Sequence, residues 1–313
     1  MPFRTSCPGK IMLAGEYGVI DGGPAVMIGV STRAHAEIGE QEQELSPFLA
    51  EVQRTLAEEF GEQSDSAEAA KRVRVDTSAF RQENEKLGLG SSAAATVAAM
   101  AAALAAGAHK LGHDYVNHLA ARAHGRAQER MGGRGSGADV AACSYGGSIR
   151  YQLLSGVPDI RRIALPNHLH LRFPWTGVAA STPELVFQIM AYRDRDGVAY
   201  RDRSAHILQS ADDLAFAADA KAAIAAIASG GAAIKALGEA ACVVLWLPVH
   251  DQLKELAEEH GGALKPTGAG GGDLALAAFS NAESAQAYEK SLLTRGILCP
   301  KIDVDTQGVR LHG

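Results

Sequence analysis

The chain has 313 residues, 47% hydrophobic and 21% charged, with a formal net charge of −6; this suits a globular protein with two cores or one large composite, and the acidic balance argues against nucleic acid or an anionic membrane as main partner. MPFRTSCPGKIMLAGEYG at the N-terminus lacks the apolar core of a signal peptide, and no run approaches 18 uninterrupted apolar residues. Cys7, Cys143, Cys242 and Cys299 are too scattered for a CxxC site or a disulfide framework, so free thiols in a reducing cytoplasm are expected.

From Lys10 to Val30 the pattern predicts apolar strands split by glycine turns such as Asp21-Gly22-Gly23-Pro24, and Ser31–Gly39 continues the strand-like alternation. A helix is expected over Ser46–Phe60, with Ser46 as N-cap and Pro47 in the first turn. Gly61–Lys71 reads as a polar loop and Val73–Phe80 as a strand. GLGSSAAA (Gly88–Ala95) opens an alanine-rich helix ending at Gly107, and a second helix is expected near Tyr115–Arg130. Met131–Tyr151 reads as a glycine-rich turn and His168–Gly177 as a strand ending in a loop. A helical tract from Thr182 to about Leu237 is interrupted by the charged segment Tyr192–Ser204. Val243–Val249 is expected as a strand, Asp251–Gly261 as a helix, Leu274–Phe279 as a strand, Ser284–Gly296 as a helix and ILCPKIDVD as a terminal strand. The pattern restarts near Arg161–His168, which predicts two domains, 1–165 and 166–313, in an α+β chain.

Three glycine-rich segments, PGKIMLAGEYGV (Pro8–Val19), GLGSSAAA and KPTGAGGGDLALA (Lys265–Ala277), read as parts of one phosphate site. The middle one is the most informative. Gly88 and Gly90 admit the backbone to an anion, Ser91 and Ser92 carry hydroxyls, and the helix start that includes Ala93 offers free N–H groups. An ordinary glycine turn with a serine N-cap accounts for the same residues. The pattern G-x-x-x-x-G-K-[ST] is absent, so this is not a P-loop NTPase.

Taken in order, the three segments resemble the three motifs of the GHMP kinases, over essentially the whole chain. The resemblance implies an N-terminal ATP-binding domain of the ribosomal protein S5 domain 2-like type, followed by a ferredoxin-like α+β domain. RGSGADVAACSYGG (Arg134–Gly147), PWTGVAAST (Pro174–Thr182), Lys86 ahead of the phosphate loop and GAGGGD ending in Asp273 are most similar to the phosphomevalonate kinase subfamily. This chain departs from that pattern where PWTGV replaces the commoner GWTGK and where Leu-Ala, rather than Cys-Gly, follows Asp273.

Such a resemblance implies ATP and Mg²⁺ as cofactors and transfer of the γ-phosphoryl group to (R)-5-phosphomevalonate in the mevalonate pathway of isoprenoid synthesis. Mevalonate kinase is the alternative, and a ligand sensor without turnover a further one. Lys10 and Asp139 match the family's catalytic residues. An alcohol acceptor would use Asp139 as base; a phosphomonoester is already anionic at pH 7, so there Asp139 is expected to position Lys10, metal or acceptor. Lys86, Gly88, Gly90, Ser91, Ser92 and Ala93 would hold the nucleotide, and Ser92 and Glu129 are candidate Mg²⁺ contacts. Glu16, Ser136, Gly137, Thr176, Ser181, Thr182, Gly268, Ala269 and Gly270 are candidate acceptor contacts. Glu16 reads equally as half of an ion pair, and Thr182 as the N-cap before Pro183. Arg134, Arg150, Arg193, Arg195 and Lys265 join Lys10 and Lys86 as cations available to an anionic acceptor. His109 and His113 lack the zincin pattern, and Trp246 is expected in the core of a strand. No nucleic-acid or membrane partner is expected, and the chain is expected as a monomer or homodimer.

Overall fold

The computed structural model describes residues 3–42, 44–82 and 85–312. Its strands are β1 (Arg4–Ala14), β2 (Ala25–Ile38), β3 (Val73–Asp76), β4 (Arg81–Gln82), β5 (Glu85–Lys86), β6 (Ser148–Leu154), β7 (Val157–Ile163), β8 (His170–Arg172), β9 (Ala263–Pro266), β10 (Ala275–Phe279) and β11 (Arg310–His312). Its helices are α1 (Pro47–Phe60), α2 (Asp65–Ala70), α3 (Ser91–Ala106), α4 (His113–Arg130), α5 (Ala138–Tyr145), α6 (Thr182–Arg195), α7 (Gly197–Ala215), α8 (Ala220–Ala241), α9 (Pro248–Glu259) and α10 (Ala282–Thr294).

An antiparallel sheet in the order β11-β1-β2-β6-β7, with β3 also on β2, forms the first layer. α3 packs on β1 and β2 and is enclosed by α1, α2, α4 and α5. Ala93, Ala94 and Thr96 through Ala105 are buried; a helix apolar all round belongs in a core, and alanine lets its neighbours approach closely. A second sheet, β8-β10-β9, carries α8, α9 and α10. The expected α+β class is the class observed. β11 pairs with β1, so the last strand returns to the first sheet and the 166–313 segment does not close on itself.

Several expected elements take a different form. Gly61–Lys71 contains the helix α2, whose Ser64 side chain accepts from the Ala67 N–H. Met131–Tyr151 folds into α5 and the start of a β6–β7 hairpin. The charged segment Tyr192–Ser204 is helical apart from Asp196, which caps α7 through the Ala199 N–H. Val243–Val249 is not a strand. Cys242 ends α8 in the left-handed region at φ +57°, and Val243 and Leu245 N–H groups bond to Gly238 and Val243 carbonyls, so no sheet neighbour is engaged. Trp246 is accordingly a half-buried loop residue whose Nε1 donates to Asp251, while Leu245 fills the core. The ILCPKIDVD segment is coil with a single bridge, Val304 to Val30 of β2, rather than a terminal strand. α8 is long and apolar enough to cross a membrane, but its Ala223, Ile227, Gly230, Gly231, Ile234 and Leu237 face is buried against α7 and β9, as in a core helix.

Candidate active site

The phosphate loop enters α3 through two left-handed glycines, Gly88 at φ +72° and Gly90 at φ +74°. Gly90 is the N-cap and brings no capping side chain, so the first-turn N–H groups from Ser91 onward remain available to an anion. Both glycines are also required by crowding. A Cβ on Gly90 would lie 2.5 Å from Cε of Lys10, and one on Gly88 would lie 2.8 Å from Oδ2 of Asp273. The three glycine-rich segments therefore meet at this loop, as the sequence predicts.

Lys10 is fixed from β1, where its backbone N–H donates to Leu89 O at 2.9 Å. Its Nζ lies 3.3 Å from Oδ2 of Asp139. Asp139 stands in the first turn of α5, after Gly137 at φ +86°. That turn is held by Ser136, whose Oγ accepts from the Ala138 N–H and whose carbonyl accepts from the Tyr151 hydroxyl. Ser136 and Gly137 thus shape the turn that presents Asp139.

Asp273 is the other pole of the site. It adopts φ +54°, and its N–H donates to Val178 O at 2.7 Å. Its carbonyl accepts from Thr176 N–H and Oγ1, both at 2.9 Å, and its Oδ1 accepts from Ala180 N–H at 3.2 Å. Burial pushes the Asp273 carboxyl up, against the Ala180 N–H and the nearby Lys10 and Lys86 cations. Thr176 is buried and its hydroxyl is engaged by this turn, while Ser181 and Thr182 are exposed at the start of α6. The helix begins one residue earlier than a Thr182 cap implies, since Ser181 is its N-cap.

Residues 48–147, which include the phosphate loop and Asp139, match the family model described as "GHMP kinases N terminal domain". The chain therefore carries a segment that matches the N-terminal domain of the GHMP kinases. It is accordingly an ATP-dependent kinase. The chain is 26% identical to the phosphomevalonate kinase of Streptomyces sp. (strain CL190), over 86% of this chain and 88% of the relative. Its fold matches Streptococcus pneumoniae phosphomevalonate kinase in complex with phosphomevalonate and AMPPNP, at TM-score 0.79 and 18% identity, over 96% of this chain and 99% of that one. It also matches L. major mevalonate kinase in complex with R-mevalonate, at TM-score 0.70 and 19% identity, over 96% of this chain and 94% of that one.

Other candidate residues lie elsewhere than expected. Glu16 does not face an acceptor: it is buried and paired with Lys265, so the ion-pair reading holds. Lys265 is thereby removed from the cations open to a ligand. Glu129 is exposed and lines a surface depression with Arg54, Glu58, Arg126 and Arg130, not with Ser92. Arg150 is held by Asp212, Arg193 by Asp21 and Asp194, and Arg195 lies over the Tyr192 ring. Arg134 is exposed on the loop before Ser136, and Lys86 is exposed on β5. Gly268 at φ +60° has open space where a Cβ would stand, whereas Gly270 is packed under Leu245 O and Ala269 O accepts from the Tyr17 hydroxyl. Among the described residues no group of three or more His, Cys, Asp or Glu side chains converges on a metal position, His109 and His113 included.

His124 is the residue that sequence reasoning missed. It is buried on α4, stacked on Phe48 and hydrogen-bonded through Nε2 to Ser92 Oγ at 3.3 Å. Burial pushes its imidazole down; Asp139 opposes that and Lys10 adds to it, so both catalytic candidates act on this ring. The signal was present in the helix period: Val116, Ala120 and His124 fall four apart, and a lone polar side chain on an inward stripe needs a partner.

Proposed function

We propose that this kinase transfers the γ-phosphoryl group of ATP to the phosphate of (R)-5-phosphomevalonate, yielding the 5-diphosphate and ADP in a reducing cytoplasm. The observation that carries the reading is the Asp273 junction. There the third glycine motif is tied by four hydrogen bonds to the Thr176–Ala180 turn while its side chain touches Gly88 of the phosphate loop. The segment that most resembles phosphomevalonate kinases is thereby fastened beside the phosphate loop, which supports an acceptor of that kind. The Streptomyces relative supports the same acceptor.

Phosphoryl transfer asks a protein for position and charge neutralisation more than for covalent chemistry. The α3 first-turn N–H groups and Ser91 and Ser92 hold nucleotide phosphates, and Lys10 neutralises charge that builds on the transferred group. Asp139 holds Lys10 in place. Lys86 and Arg134 are the exposed cations suited to an anionic acceptor. Ser92 Oγ and the Asp139 carboxylate, both neighbours of His124, are the oxygens fitted to Mg²⁺, which supplies charge neutralisation to the phosphates and needs few protein ligands. Glu129 does not fit that role.

Mevalonate kinase is the second reading, favoured by the shared fold and by an Asp139 side chain that is 39% exposed and open to an alcohol. A sensor without turnover is disfavoured by the intact Lys10–Asp139 pair. Asp139→Asn separates the first two. With a phosphate acceptor, kcat is expected to fall by no more than about tenfold, with a flat pH–rate profile; loss of about 10³-fold would mark Asp139 as a base and the acceptor as an alcohol.

A further inference from the structure

The ion pair between Glu16 and Lys265 is left unused by this chemistry. Both side chains are fully out of solvent, at 1% and 0% exposure. Lys265 Nζ donates to Glu16 Oε1 and to Pro266 O at 2.8 Å, while Glu16 Oε2 is buried with no partner. Taking two charges out of water is a poor route to stability, since apolar residues of similar size commonly do as well. Yet the surrounding sequence is arranged to admit them. In the middle of α8, Gly230 and Gly231 stand beside Lys265, and a Cβ on Gly231 would lie 3.1 Å from Lys265 Cβ and 2.9 Å from Leu264 O. Glycine is the poorest ordinary residue for a helix interior, so two together mark a place where backbone clearance matters more than helix propensity.

What an ion pair supplies that an apolar contact does not is direction. Glu16 follows the end of β1, six residues after Lys10, and Lys265 lies on β9, eight residues before Asp273. The neighbouring Tyr17 hydroxyl makes a second tie, to Ala269 O. One short turn of the first sheet is therefore fastened twice to the strand and loop of the third glycine motif. We infer that Glu16 and Lys265 are positioning residues, a buried latch that sets the Gly268–Asp273 loop of the second sheet against Lys10 of the first sheet and Gly88 of the phosphate loop. The inference rests on the kinase reading alone and not on which acceptor is used.

The test uses the full chain with Glu16→Leu, Lys265→Met and the two combined. Each single variant leaves a buried charge unpaired and is expected to lower Tm; the double is expected to return to within about 3 °C of wild type. A latch predicts that kcat of the double nevertheless stays at least about tenfold below wild type, with KM for ATP within about threefold, because a small misplacement of reacting groups acts on the transition state. A double variant with restored Tm and kcat within about threefold of wild type would overturn the inference. Should the double not fold, Glu16→Gln read about 10 °C below its own Tm decides: tenfold lower kcat supports the latch and unchanged kcat overturns it. Activity is read with whichever acceptor the wild type turns over. Turnover of mevalonate alone overturns only the acceptor assignment, and turnover of neither overturns the kinase reading and the latch with it.

Discussion

Gly90 lies where two requirements coincide. Its φ of +74° opens α3 to an anion, and its missing Cβ leaves the volume that the Lys10 side chain crosses on the way to Asp139. Gly90→Ala is expected to lower stability by about 1–2 kcal/mol through left-handed strain. It is also expected to lower kcat by about tenfold or more, by displacing Lys10 from Asp139; urea unfolding and steady-state kinetics measure the two effects separately. Lys10→Met is expected to lower kcat by at least about 10²-fold with little change in the unfolding midpoint, because the partly exposed Lys10–Asp139 pair adds little stability. These residues were legible in the sequence because each sits within a contiguous glycine-rich run. His124 and the Glu16–Lys265 pair were not, because Ser92 and His124 are 32 positions apart and Glu16 and Lys265 are 249 apart. Local pattern carries no information about such partners.

At the scale of the element, strong local signals gave α1 and α3 nearly to the residue and α4 and α10 to within two residues. α3 in particular combines a glycine start with a run of alanines that has no alternative in strand or loop. The errors have a common cause. β-branched and aromatic residues in Val243–Val249 suggest a strand, but a strand exists only if a neighbour takes its hydrogen bonds, and after the left-handed Cys242 none is in place. α2 and α5 were hidden in polar or glycine-rich sequence because their stability comes from packing against α3 and its neighbours, not from propensity. α8 carries the element-scale prediction. Gly231→Ala improves intrinsic helix propensity, yet its Cβ would lie 2.9 Å from Leu264 O. The variant is expected to be less stable than wild type by about 1–3 kcal/mol in urea unfolding, whereas a propensity-dominated helix would gain up to about 1 kcal/mol.

Across the whole molecule the two sheets are tied by β11 and by the latch, and the Asp273 side chain reaches Gly88 of the phosphate loop, so the site is a product of the full chain. The class of fold was legible in the order of elements; the return of the last strand to the first sheet was not, since three residues of strand carry no address. Acid sensitivity also belongs to this scale. His250 is fully buried, accepts the Leu247 N–H through Nδ1 and leaves Nε2 without a partner. Burial pushes its imidazole down to about 4, with Asp251 opposing. The unfolded chain takes up this proton near pH 6.5 and the folded chain only near 4, so between those values the unfolded state binds more protons. The His250 contribution is therefore full above about pH 6.5 and is lost as pH falls toward 4. His250→Asn is expected to remove about 2 kcal/mol of the stability lost between about pH 7.5 and 5, read as the difference in urea unfolding between wild type and variant.

The central claim is that the Asp273 junction serves an acceptor already carrying a phosphate. ADP release from the purified full chain, with ATP and either mevalonate or phosphomevalonate, tests it most directly. The account predicts kcat/KM at least about tenfold higher with phosphomevalonate, because a doubly charged acceptor gains more from the Lys10 and Lys86 cations near Asp273 than a neutral alcohol group does. Turnover of mevalonate with none of phosphomevalonate would contradict it.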